Sequence, residues 1–277
     1  MNFFIAQSSA IHATVQDWSN RVQKNGGVLP SGDTQRALSD FMKGMDAYNL
    51  TPKVQSINCF VPDNLIAALT PLVRIYGNDP WTNVGPFVSG DLTINGLIGN
   101  GSKYLRTGVI PNGFMGAESA GSIYYSVTSG NTNYNCIGSC DDTGRLRNGW
   151  DTTAGYGNYA QSWADANQVK GNNNTAWFVG YICAAKTATN LITMYWANST
   201  TPHYAVGTNT GTDPGGSWIP SSRECAVFGG NEGGVYTPAV TGRLSFAALS
   251  KGLLEDESKN LYTLIQAMRQ QLGGGYV

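Results

Sequence analysis

A chain of 277 residues is long enough for one large sandwich or barrel, or for two ordinary domains. Only 13% of its residues are charged and the formal net charge is -1, so it has no basic footprint for nucleic acid or an anionic membrane surface. Apolar runs are short and interrupted, and the opening MNFFIAQSSA has no basic residue before its brief apolar core; membrane insertion and a secretory leader are therefore not expected.

Residues 1–55 read as an arm followed by a helical pair. Ile11, Val15, Trp18 and Val22 recur at helical spacing, and NGG at 25–27 supplies a C-terminal stop. The second helix is expected to start with Asp33 or Thr34 as N-cap, to carry Ala37, Leu38, Phe41, Met42 and Met45 as its stripe, and to end at Thr51-Pro52. Both stripes need a partner, either a sandwich in the same chain or, in an adaptor, another protein.

Between residues 56 and 252 the chain is rich in Gly, Asn, Ser and Thr, with β-prone runs separated by NG, GNGS, DDTG, GNNN and DPGG. The runs are SINCFV, GLIGNG, KYLRTG, SIYYSVT, CIGSC, TAWFVGYICA, LITMYWA, AVFGG and GRLSFAAL. About nine short strands predict a mainly β fold, a two-sheet antiparallel jelly-roll sandwich. Residues 253–277 return to helix: Leu261, Leu264, Ile265, Met268 and Leu272 share a face, Glu255, Asp256 and Glu257 favour the first turn, and GGG ends it. This helix is expected to pack on the sandwich.

Five cysteines, Cys59, Cys136, Cys140, Cys183 and Cys225, are odd in number and widely spaced, which predicts reduced, mostly buried thiols. His12 and His203 are the only histidines and neither sits near a second cysteine pair, so no metal site is expected. The acids of DDTGRLRNGWD are spaced loosely enough for a calcium loop but lack its regular ligand pattern. No cofactor motif is present.

Ala117-Glu118-Ser119-Ala120-Gly121 differs from a GxSxG nucleophile elbow only at the first glycine, and the order Ser119, Asp141, Asp142, Asp151, Asp165, His203 suits a triad. An elbow, however, joins a strand to a helix. Here a turn-rich stretch precedes Ser119 and an alternating run follows it, with Ile123 and Tyr125 on one face and Tyr124 on the other, so Ser119 is expected to be a loop hydroxyl. Glycoside hydrolysis needs two carboxylates at one bond. Glu118, Glu224 and Glu232 are the candidates, and each is isolated in sequence.

Aromatics make the stronger case for binding, because sugar rings stack on Trp and Tyr while polar neighbours satisfy their hydroxyls. Trp150, Tyr156, Tyr159 and Trp163 lie within NGWDTTAGYGNYAQSWADANQ, read as a surface loop, and Trp218 lies in DPGGSWIP. Glycan contact and clamping of long loops are both open for this group. Trp177 and Trp196 lie in strand-like runs and are expected in the core.

Two stretches carry a resemblance: PLVRIYGNDPWTNVGPFVSGDLTINGLIGNGSKYLRTG at 71–108 and GRLSFAALSKGLLEDESKNLYTLIQAMRQQLG at 242–273. With the helical pair before them they resemble tailed-bacteriophage virion structural proteins with a laminin-G-like, concanavalin-type jelly roll. The resemblance implies a non-enzymatic component displayed on the virion surface, as a capsid decoration or in a tail or fibre, with other virion proteins and copies of itself as partners. It also implies assembly in the host cytoplasm, where thiols stay reduced. A host-surface glycan is a further expected partner. The competing expectation is a glycan-degrading tail depolymerase, in which Glu118, Glu224 or Glu232 would converge in one cleft.

Overall fold

The structure, a computed structural model, describes residues 10–113, 119–127, 134–140, 145–150, 158–162, 168–170, 179–188, 191–198, 202–209, 221–238 and 240–274. Helix α1 (Ala13–Lys24) leads through Gly26, at φ 86°, to α2 (Gly32–Ala47). The N-cap of α2 is Ser31, not Asp33 or Thr34: its hydroxyl accepts from the Thr34 N–H at 3.2 Å, reaching the donor one turn in, while Asp33 lies within the first turn. The helix also ends earlier than Thr51-Pro52, which instead open a 3₁₀ turn over Thr51–Lys53.

Eighteen strands occur among the described residues. In chain order they begin with β1 (Val54–Asn58), β2 (Val73–Arg74), β3 (Thr82–Val84), β4 (Leu92–Thr93), β5 (Gly96–Asn100) and β6 (Tyr104–Arg106), with the short helix α3 (Leu65–Leu69) between β1 and β2. There follow β7 (Ser119–Val127), β8 (Tyr134–Cys140), β9 (Arg145–Trp150), β10 (Asn158–Ser162), β11 (Gln168–Lys170) and β12 (Val179–Ala188). The last are β13 (Leu191–Ala197), β14 (Tyr204–Asn209), β15 (Ala226–Val227), β16 (Gly229–Glu232), β17 (Val235–Pro238) and β18 (Thr241–Ser250), before helix α4 (Glu255–Gln271).

The strands form two sheets of nine. The central sheet runs β14-β13-β12-β7-β18-β1-β2, with β5 also on β18 and β4 on β5; the outer sheet runs β11-β10-β9-β8-β15-β6-β3, with β16 on β8 and β17 on β16. All pairings are antiparallel except β16 with β8. The two-sheet sandwich with helical ends is thus the fold, but the expected nine strands are half of those present. AVFGG is one expected strand that becomes two, because Phe228 at φ 66° breaks β15 from β16.

Helices α1, α2 and α4 add a third layer on the free face of the central sheet, which explains its sequence. Alternation puts Ile123, Ile182, Ala184, Met194, Trp196, Leu244, Ala247 and Leu249 between the sheets. Their neighbours Tyr124, Tyr181, Cys183, Ala185, Tyr195, Phe246 and Ala248 face the helices with Trp18, Phe41, Met42, Leu261 and Ile265. A sheet buried on both faces reads as a continuous apolar run. Ile123 and Tyr124 therefore point oppositely, as expected; the side chain of Tyr125 lies outside the described residues.

Polar ties fix the helices. The Trp18 indole donates to the Thr70 carbonyl at 3.0 Å, and Arg21 donates to the carbonyls of Pro71 and Leu72 while pairing with Asp79. At the start of α4 the Glu257 carboxylate accepts from the Leu254 N–H at 2.8 Å and from Lys53 at 2.6 Å. Cys59, Cys136, Cys183 and Cys225 are free and buried, and burial pushes the Cys136 and Cys225 thiols up to about 12. No helix among the described residues is long and apolar enough to cross a membrane.

Candidate functional site

At one end of the outer sheet β6, β15 and the β16–β17 hairpin enclose a surface pocket. On β6, Leu105 enters the inter-sheet core, and its neighbour Arg106 turns outward. The pairing of β6 with β15 is prolonged beyond both strands: Thr107 N–H and Oγ1 donate to the Cys225 carbonyl, and Cys225 N–H donates to that of Val109. Gly108 has φ 69°, and a Cβ there would lie 2.5 Å from the Asn78 amide oxygen, so the bend requires glycine. These ties hold Glu224 opposite Arg106. Across the pocket, Gly233 and Gly234, at φ 59° and 93°, form the two-residue turn that folds β17 back on β16 and presents Tyr236.

Glu224 is the centre of the pocket floor. Its Oε1 accepts from Arg106 Nε at 2.6 Å and from the Tyr236 hydroxyl and lies 2.5 Å from Arg106 Nη2 in the same ion pair, while Oε2 accepts from Gly108 N–H at 2.8 Å. The hydrogen bond that Arg106 donates to Glu224 raises the guanidinium, and burial, reinforced by Glu224, pushes the Tyr236 phenol up to about 12. Tyr236 stacks on Tyr104 with ring centres 5.0 Å apart, and the Arg106 guanidinium lies 5.2 Å from the Tyr236 ring centre. Asn231 Nδ2 donates to the Glu224 carbonyl and its Oδ1 accepts from Gly234 N–H, joining the two walls. With Ile110, Ser222 and Arg223 completing the lining, the volume is about 390 Å³, within the ~300–1,000 Å³ of small-molecule sites.

With Oε1 engaged by Arg106 and Tyr236 and Oε2 by the Gly108 N–H, Glu224 is an ion-paired carboxylate whose contacts bind three parts of the pocket together. Glu224 is the only carboxylate lining the pocket among the described residues, and Glu232 is not part of the lining. Glu118 lies outside the described residues. Paired acids at one bond are not what this pocket presents.

The aromatic group expected to bind sugar is only partly within the described residues. Trp150 is on β9 and Tyr159 on β10, so both belong to paired strands rather than to a loop, with Trp150 opposite Asn158 and Tyr159 opposite Gly149. Tyr156, Trp163, Trp218 and Trp177 lie outside the described residues, whereas Trp196 is buried between the sheets. The calcium-loop stretch is likewise a strand over Arg145–Trp150, its acids lying outside. Among the described residues no three His, Cys, Asp or Glu side chains are grouped to hold a metal ion.

Ser119 opens β7 and a strand follows it, so the strand-turn-helix of an elbow is absent. His203 is engaged elsewhere. Its Nε2 lies 3.0 Å from Ser258 Oγ, which is 3.1 Å from the Tyr181 hydroxyl; that hydroxyl reaches Ser122 at 3.4 Å. Ser119 pairs with Lys186, whereas Tyr181 pairs with Tyr124, five positions along β7. Ser258, on the inner face of α4, is fully buried, so the cluster ties that helix to the central sheet. Burial, aided by Lys259, brings the His203 imidazole down to about 4.

Of the pocket, the sequence identified only Glu224, as an isolated acid. Arg106, Arg223, Asn231 and Tyr236 escaped. The NEGGVY hairpin was the one available local signal, two glycines between strand-forming residues.

No protein-family model matches this chain, and no curated protein sequence matches it. Solved structures do. Domain 4 of AbnA, a GH43 extracellular arabinanase from Geobacillus stearothermophilus, in complex with arabinotriose, is similar with a TM-score of 0.50 and 13% identity, over 76% of this chain and 98% of that one. A GH54 α-L-arabinofuranosidase soaked with a cyclic sulfate inhibitor gives 0.45 and 14%, over 65% and 41% of the two chains. The CBM40 of the Ruminococcus gnavus IT-sialidase gives 0.41 and 10%, over 53% and 83%. At such identities the first likeness bears on the sandwich fold alone, and the other two are too distant to add to it.

Proposed function

We propose that this chain is a non-enzymatic recognition module displayed on a tailed-bacteriophage virion, as a capsid decoration or a tail or fibre component, and that it binds a host-surface glycan through the pocket around Glu224. The observation that carries this reading is the anchoring of Glu224: Arg106, Tyr236 and the Gly108 N–H fix the only pocket carboxylate among the described residues, which suits a rigid polar floor better than a free acid or base. Rigid polar groups beside aromatic rings suit a sugar. The arabinanase domain, a sandwich of similar fold, is described with a sugar oligomer bound. The virion setting rests on the motif stretches 71–108 and 242–273, which supply β2 to β6 and the β18–α4 unit. Copies of the chain and other virion proteins are its partners, and free buried thiols suit assembly in a reducing cytoplasm.

Two experiments test the reading. Imaging of purified particles with a labelled antibody should place the chain on their surface; its absence from particles would remove the virion setting. Incubation with capsular and cell-wall polysaccharides should give binding without shortening of the polymer. Cleavage abolished by Glu224→Gln would instead establish the depolymerase.

A further inference from the structure

We infer that the pocket selects a glycan unit carrying a carboxylate, with Arg223 as the group that pairs with it. The inference rests on the glycan reading of the same pocket and adds the class of sugar. The charges of the pocket lining do not balance among the described residues. Arg106 and Glu224 neutralise one another on the floor through two short contacts. Arg223 lines the same pocket and forms no ion pair among the described residues. Its backbone is fixed, since Arg223 N–H donates to Ser221 Oγ at 3.1 Å and the next residue, Glu224, is held by Arg106, Tyr236 and the Gly108 N–H. The Arg223 guanidinium lies along Gly234, where an added Cβ would sit at van der Waals distance, 3.6 Å from Nη1, so the hairpin turn places the head group at the pocket wall.

The other polar groups do not cancel this charge. Asn231 spends both ends of its amide on the Glu224 carbonyl and the Gly234 N–H. The Tyr236 hydroxyl is committed to Glu224, and the phenol, raised to about 12, stays neutral. A pocket with two guanidiniums and one carboxylate thus offers one positive charge to its ligand. A planar guanidinium meets a carboxylate through two parallel hydrogen bonds, a geometry that uncharged sugar hydroxyls cannot match.

Titration calorimetry with matched pairs separates the two levels of the reading: an oligogalacturonate against its methyl ester, and sialyllactose against lactose. The charged member of at least one pair should bind about ten- to a hundredfold tighter, as one charge-assisted hydrogen-bonded pair gives, and the advantage should shrink in high salt. Arg223→Gln should bring that ratio towards one, and Arg223→Lys should keep part of it. Equal binding within both pairs would overturn the acidic preference while leaving glycan binding standing. A ratio unchanged by Arg223→Gln, or tighter binding of a sulfated glycan lacking carboxylates, would also overturn it. Binding of none of the four by protein with a normal thermal transition would remove both readings.

Discussion

Glu224 shows how one side chain can hold a site together without acting in it. Replacing it by glutamine removes the charge that Arg106 and Tyr236 donate to, and turns one acceptor into a donor facing other donors. Glu224→Gln should cost roughly 1–3 kcal/mol in urea unfolding, towards the lower end because the Arg106 side chain is 45% exposed. A double-mutant cycle with Arg106→Gln should show the two losses to be less than additive. A steric test belongs at Gly252, between β18 and α4, where a Cβ would lie 2.1 Å from the Lys186 carbonyl oxygen. Because that oxygen is backbone and cannot swing away, Gly252→Ala should destabilise by about 1–3 kcal/mol, read as a lower thermal midpoint. Neither position announces itself in sequence. Glu224 looks isolated because its partner Arg106 is 118 residues away, and the demand for glycine at 252 arises from a strand far along the chain.

At the scale of elements, the long pieces were legible and the short ones were not. The stripes of α1, α2 and α4 follow the helical period, and Val15, Trp18, Leu38, Phe41, Leu261 and Ile265 are all buried. β2, β4 and β15 have two residues each, too few for any period to appear, and their pairing is imposed by long neighbours. The Gly and Asn content of 148–168 suits a loop, yet parts of it belong to β9 and β10, strands paired to one another. The contact between α4 and the central sheet is where pH should act. His203 sits there neutral, facing Ser258, Lys259 and Asp256 of α4 and Tyr181 and Tyr195 of the sheet. Burial holds its folded pKa at about 4 against an ordinary 6.5, so the unfolded chain takes up the proton first. Its effect on stability should be nil above pH 6.5, become increasingly unfavourable as pH falls from 6.5 to about 4, and level off below. Comparing urea midpoints across that window for the native chain and His203→Gln should show a shallower acid limb in the variant.

The whole molecule is three layers, and this sets where damage is greatest. Ile265 is fully buried between α4 and the central sheet, so Ile265→Ala should cost about 2–5 kcal/mol, checked by denaturant unfolding. Sandwich class and helical ends could be read from the chain because they depend on local patterns. The layering could not, since two-sided burial erases the alternation that would mark a face. The pocket was equally hidden, because it joins β6 to residues before β15 and to the β16–β17 hairpin, which only the folded topology makes neighbours.

The place of β18 carries a consequence for synthesis. It is the last of the described strands in chain order, yet it lies at the middle of the central sheet, where it pairs with β1, β5 and β7. A growing chain therefore holds β1 and β7 apart, with their ladder edges open, until residues 241–250 emerge. Such late closure over long loops predicts slow, concerted folding and a nascent intermediate that a ribosome-associated chaperone would hold.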